Sequence, residues 1–146
     1  MAVYTKLIKK DVEEILSNYS IGGLKEFKGI EEGIENTNYF LLVDNKKYIL
    51  TIYEKRVKEK DLPFFSTLMT SLNKAGFKCP IPIETNNGKT IIRYKDKNLM
   101  IVSFLEGTAK NILTPEDCNS IGHEVAKMHE ITKNFKILRD NNLSIN

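Results

Sequence analysis

TNYFLLVDNKKYILTIY, residues 37–53, decides how this chain is read. Two runs rich in aromatic and branched residues flank Asp44-Asn45, a pair that tolerates the backbone of a tight turn. The stretch therefore reads as a β-hairpin. Period two places Ile49, Thr51, Tyr53 and Lys55 on one face of the second run. Three further runs have the same texture, from Leu24 to Ile30, Lys89 to Tyr94 and Leu99 to Phe104. Asn87-Gly88 and Asp96-Lys97 stand where further turns are needed, and Asn87-Gly88 is the strongest hairpin signal of the three.

Helical spacing appears on either side of these runs. In DVEEILSNYS, Val12, Ile15, Leu16 and Tyr19 share a face, and Gly22-Gly23 follows as a stop. In DLPFFSTLMTSLNKAGF, Leu62, Phe65, Leu68, Met69 and Leu72 mark a second helix capped at Gly76, predicted to cross the sheet. Pro80 and Pro82 then force an extended return. Thr114-Pro115-Glu116-Asp117 opens a third helix, because threonine can cap, proline suits the first helical position and carboxylates suit the positive dipole end. Cys118, Ile121, Val125 and Met128 form its expected buried stripe. The tail NFKILRDNNLSIN shows no sign of a packed element.

The fold class is α+β. Its order is a helix, three strands, a crossing helix, two strands, a connector and a last helix, which is the plan of a kinase-like small lobe with a five-stranded antiparallel sheet. Residues 1–105 are expected to form this lobe, and residues 106–146 a hinge and the start of a truncated helical lobe.

Composition narrows the class. A chain of 146 residues with 41% hydrophobic and 28% charged residues is an ordinary globular domain, and it carries no apolar stretch long enough to span a bilayer. The start, MAVYTKLIKKDVEE, meets charge too early for a signal-peptide core, so a cytoplasmic setting is expected. Cys79 and Cys118 lack CxxC spacing, and His123 and His129 complete no zinc pattern. Net charge is +3, and the densest basic cluster, Lys55, Arg56, Lys58 and Lys60, is broken by Glu54, Glu59 and Asp61. Nucleic acid is not the expected partner.

Four stretches could carry chemistry. Gly33, in GIEEGIENTNY between the first two strands, lacks a Cβ, so backbone amides there can approach phosphate oxygens. Read alone, the loop is an acidic hairpin turn before it is a phosphate cradle, since Glu31, Glu32 and Glu35 would repel a triphosphate. Kinase-fold enzymes take a phosphate-binding lysine from the third strand, but here threonine, Thr51, stands in its place, and Lys55 or Arg56 could project from the strand end instead. LMIVSFLEG ends an apolar run in a polar corner, as an adenine-binding hinge requires, or as any central strand ending at a turn does. His129 lies one residue past the third helix's stripe, where a structural role is the default.

In order and spacing, FKGIEEGIENTNYFL, KKYILTIYEKR, KDLPFFSTLMTSL, LMIVSFLEG and IGHEVAKMHEIT resemble the homoserine kinases of the aminoglycoside-phosphotransferase type. MAVYTK and RDNNLSIN fit as well. Relatives in this broader family that act on aminoglycosides, choline or methylthioribose usually carry Lys or Arg where Thr51 stands, which favours the homoserine branch.

The resemblance implies transfer of the γ-phosphoryl of ATP, with Mg2+, to the hydroxyl of L-homoserine, a step of threonine biosynthesis. It implies that Gly33, Glu35, Asn36 and Thr37 lie over the phosphates and that Ser103, Phe104 and Leu105 hold adenine, while Lys55 or Arg56 is the hypothesis for the cation that replaces the strand lysine. An HxDxxxxN loop, which would supply the catalytic aspartate and the magnesium ligands, is absent from these 146 residues. No catalytic or metal residue is therefore assigned. Both are expected downstream of Asn146, in the same frame or in a separately encoded C-terminal lobe. The chain as written is expected to bind nucleotide weakly and not to turn over. The alternatives are a non-catalytic nucleotide- or partner-binding module, or a kinase of the same family with another small hydroxyl substrate such as choline, an aminoglycoside or methylthioribose.

Overall fold

The computed structural model describes residues 3–54 and 57–140. The element order is α1 (Lys9–Leu16), β1 (Leu24–Ile30), β2 (Thr37–Val43), β3 (Lys46–Tyr53), α2 (Leu62–Lys74), β4 (Ile92–Tyr94), β5 (Lys97–Ser103) and α3 (Pro115–Thr132), with one 3-10 turn, Glu59–Asp61, leading into α2. One antiparallel sheet has the order β1-β2-β3-β5-β4. The predicted sheet is present. Tyr48 pairs with Ser103 and Ile52 with Leu99, so the β2–β3 hairpin sits at the centre with β5 beside it.

Strict alternation explains why the hairpin is so well specified. Thr37, Tyr39, Leu41 and Val43 of β2 and Tyr48, Leu50 and Ile52 of β3 all point to one face and are buried. A slip of one residue would turn this whole set toward the opposite face. Val12, Ile15, Leu16 and Tyr19 of the α1 region close over that face and complete the core with Leu99 and Ile101 of β5. The start of α1 is held by the Asp11 carboxylate, which accepts the Ile8 amide at 2.9 Å.

Three features differ from the sequence reading. Asn87-Gly88 makes a turn but no hairpin between strands. Gly88 and Lys89 fold back on Thr85, with Gly88 N to Thr85 O at 2.9 Å and Lys89 N to Thr85 Oγ1 at 3.1 Å. Lys89 to Ile91 therefore stay out of β4, and the last hairpin turns instead at Lys95-Asp96, where Lys95 takes φ of 52°. Second, the stripe Cys118, Ile121, Val125 and Met128 is not buried. Ile121 is 50% exposed, Val125 42% exposed and Cys118 exposed, and among the described residues α3 meets α2 and Phe77. Third, the tail packs: Phe135 lies edge-on to Phe64 of α2, with ring centroids 5.8 Å apart.

Candidate functional site

The sheet face opposite α1 carries the other half of the alternation. Asn38, Thr51, Tyr53, Met100 and Val102 point there, and with Phe65 and Met69 of α2 they line a cavity of about 540 Å³. That volume falls in the range of small-molecule sites, roughly 300–1,000 Å³, and the mix of apolar walls with a few polar groups matches them as well. Glu35 and Asn36 overhang one side of the cavity, and Arg139 reaches it from the segment after α3.

Most of the polar groups are already oriented. The Thr51 hydroxyl donates to Asn38 Oδ1 at 2.8 Å, so the centre of β3 offers a short neutral dipole at this point. Asn36 Oδ1 accepts the Glu54 backbone amide at 3.3 Å, which ties the overhanging loop to the end of β3. Burial pushes the Tyr53 phenol up to about 12, so it lines the cavity as a neutral group.

Behind the loop lies a second network. The Thr37 hydroxyl accepts the Tyr4 and Thr5 amides at 2.9 and 3.1 Å and donates to Glu54 Oε1 at 2.8 Å. Thr5 Oγ1 donates to the same oxygen at 2.6 Å, and Lys97 Nζ meets Glu54 Oε2 at 2.8 Å. Burial raises the Glu54 carboxyl, but hydrogen bonds from Lys97, Thr5 and Thr37 together outweigh it and hold the group below the usual carboxylate range.

The residues proposed from sequence are brought only partly together. Glu35 and Asn36 lie at the cavity. The side chain of Thr37 is buried on the α1 face, where alternation turned it inward, and it is committed to the N-terminal segment. Gly33 sits in the exposed loop with φ of 115°, a conformation that favours glycine. Lys55 and Arg56 lie outside the described residues.

Ser103, Phe104 and Leu105 follow the cavity-lining Val102. The Ser103 amide donates to Ile81 O at 2.9 Å, and its Oγ accepts the Ile81 amide at 2.9 Å. Phe104 N donates to Lys47 O at 3.2 Å, with its ring edge-on to Phe40 at 5.7 Å. The amides of Ser103 and Phe104 are thus both engaged within the protein, and Leu105 is 40% exposed.

Sequence reasoning missed Asn38 and Arg139. Asn38 was findable, since it shares the outward period of β2 with Phe40. Arg139 Nε donates to Asp61 Oδ2 at 3.3 Å, and its guanidinium carbon stands 5.2 Å from the centre of the Phe65 ring. Both partners lie far away in sequence and leave no local signal.

Magnesium is not accommodated by these residues. Glu35 is the one carboxylate among the described lining residues, and no group of three or more His, Cys, Asp or Glu side chains comes together among the described residues.

Residues 26–143 match the sequence profile of the phosphotransferase enzyme family. A homoserine kinase of Methylobacterium radiotolerans is 44% identical over 145 residues, which is 99% of this chain and 45% of that protein. One of Parvibaculum lavamentivorans is 42% identical over the same shares. The chain thus spans somewhat under half the length of the curated relatives it matches. Among solved structures, a spectinomycin phosphotransferase in complex with ADP and spectinomycin superposes with a TM-score of 0.68 at 18% identity, over 96% of this chain and 44% of the other. An aminoglycoside phosphotransferase from Alicyclobacillus acidocaldarius does so at 0.71 and 14% identity, over 90% and 37%. At these identities the likeness is one of fold.

Proposed function

Because this chain belongs to the phosphotransferase enzyme family, matched over residues 26–143, we propose that it is the nucleotide-binding lobe of an ATP-dependent homoserine kinase. The observation that carries this reading is the identity of 41–45% to proteins named homoserine kinase, running through 99% of the chain. In this reading ATP lies under the loop of Gly33, Glu35 and Asn36, with its phosphates toward the cavity and its adenine toward the backbone of Ser103 to Leu105. Magnesium enters with the nucleotide and takes its protein ligands from a helical lobe, as does the acceptor, L-homoserine. Residues 1–105 form the lobe itself, and residues 106–146 connect it to the helical part. The setting is the cytoplasm, where ATP and free amino acids meet.

The chemistry assigned to this chain is positioning. Phosphoryl transfer asks little covalent work of the protein and depends on holding the nucleotide in line and neutralising its charge. A rigid sheet with Thr51 and Asn38 already hydrogen-bonded supplies the fixed floor for that.

Two measurements test the reading separately. Titration of the 146-residue chain with Mg–ATP tests nucleotide binding, and absence of heat or of ligand-induced shifts at millimolar ATP overturns it. Expression of the complete reading frame in a bacterium lacking homoserine kinase tests the acceptor. Growth without threonine is expected. Failure to grow, together with ATP-dependent phosphorylation of choline, methylthioribose or an aminoglycoside, overturns homoserine while leaving the kinase reading in place.

A further inference from the structure

Nucleotide phosphates need a fixed cation, and the strand position that would carry it holds Thr51, whose hydroxyl is occupied by Asn38. α2 (Leu62–Lys74) contains no carboxylate that could have steadied a strand lysine. The cavity nevertheless has a cation. Arg139 is the one basic side chain among the described residues that line it.

Resting on the nucleotide reading above, we propose that Arg139 is the phosphate-binding cation of this site, held in place by Asp61 and Phe65. Asp61, just before α2, takes the place of the missing helix carboxylate. Its Oδ2 accepts Arg139 Nε at 3.3 Å, and its side chain is only 14% exposed. Phe65 lies beneath the guanidinium at 5.2 Å, where the ring face attracts a cation. These two contacts fix one edge and one face of the planar group. Among the described residues no hydrogen bond engages its terminal nitrogens, and Arg139 is one of the residues that line the cavity.

A guanidinium suits this task better than an ammonium. It presents parallel donors that match two phosphate oxygens, and it remains charged at any physiological pH. Its side chain is 28% exposed, so it is neither sealed off from a ligand nor fully screened by water. The segment carrying it is pinned by Phe135 against Phe64 of α2, which keeps Arg139 on the cavity side of that helix. The cation thus reaches the site from beyond α3 instead of from the sheet.

The test is calorimetric titration of the 146-residue chain, Arg139→Gln and Arg139→Lys with Mg–ATP and with adenosine. Glutamine can still hydrogen-bond Asp61, so a melting curve near that of the parent chain is expected. Losing a charge-assisted bidentate contact weakens Mg–ATP binding by about tenfold or more in Arg139→Gln, with adenosine unchanged within about twofold. Arg139→Lys falls between, since it keeps the charge and loses the fork. Mg–ATP affinity unchanged in Arg139→Gln, or an equal loss for ATP and adenosine, overturns the assignment while the nucleotide reading stands. A parent chain that binds neither ligand overturns both.

Discussion

Glu54→Ala is the substitution that most directly probes how the site is held. One carboxylate oxygen accepts two hydroxyls, Thr5 Oγ1 at 2.6 Å and Thr37 Oγ1 at 2.8 Å, and the other pairs with Lys97 at 2.8 Å. Hydrogen bonds to a charged acceptor contribute about 1.5–3 kcal/mol each, but the two here share one atom and do not add in full. The Lys97 pair adds less, about 0.5–1 kcal/mol, because Lys97 is 27% exposed and can turn to water. Truncation therefore costs about 3 kcal/mol, or about 9 °C in melting temperature for a domain of this size. Glu54→Gln keeps an acceptor for the hydroxyls and loses only the charge, so it costs about half as much.

Thermal unfolding by circular dichroism at neutral pH measures both variants, and amide exchange at Tyr4 and Thr5 reports whether the N-terminal segment has come loose. The sign with pH follows from the lowered carboxyl. Its stabilisation is present above the ordinary carboxylate range and fades as pH falls through the folded value, so the gap between Glu54→Ala and the parent narrows in acid. A Glu54→Ala protein melting within about 2 °C of the parent at neutral pH would contradict this account, since charge-assisted hydrogen bonds to a mostly buried carboxylate do not allow so small a change.

Asp11 is held down at about 2 by the Ile8 amide first, then by Lys95 and the Tyr94 hydroxyl. Its contribution is complete above its ordinary 3.8 and disappears as pH falls toward about 2, so Asp11→Asn should flatten the fall of melting temperature over that interval. Gly33→Val forces a branched side chain into a backbone at φ of 115°, which costs about 1–3 kcal/mol locally. The expected result is a severalfold loss of Mg–ATP affinity together with a fall of about 3–9 °C in melting temperature. On α3, Val125→Glu should shift melting by no more than about 2 °C, as expected of an exposed position, whereas Leu50→Ala should cost about 2–5 kcal/mol. A large loss at Val125 would mean that the helix face is covered in solution, and sedimentation of the parent chain would then show a second copy.

The strands were legible where one face is buried and the other is not. β1 and β2 fall on the residues that composition indicates; in β2 every second side chain contributes to one core, whereas in β1 Leu24 and Phe27 pack against it on either side of a bulge. The same alternation also held the answer for Thr37, which shares its phase with Tyr39 and Leu41, but a threonine beside Asn36 and Asn38 reads as a turn residue when the loop is considered by itself. β4 was overextended because Asn-Gly signals a turn without saying what the turn closes. Here it closes on Thr85, while Pro82 bridges Val102 and fills the edge that Lys89 to Ile91 were expected to take. On α3, periodicity identified an apolar face but carries no information about what lies against it. Arg139 was out of reach for a different reason. Its partners Asp61 and Phe65 precede it by about half the chain, and contacts across such distances leave no periodic trace in sequence.

The strand order β1-β2-β3-β5-β4 also has a consequence for the growing chain. β1, β2 and β3 are neighbours both in sequence and in space, so a three-stranded meander can form as soon as Tyr53 has emerged. The second edge of β3 must then wait for α2 and the proline-bearing return to be made before β5 can dock, a delay of a few seconds at about 5–20 residues per second. During that interval Tyr48 to Tyr53 presents unpaired backbone flanked by Ile49, Leu50 and Ile52. An open apolar edge at the middle of a sheet is a template for pairing with another chain. The interval between β3 and β5 is therefore when nascent copies of this protein are most exposed to one another, and when a chaperone has most to shield.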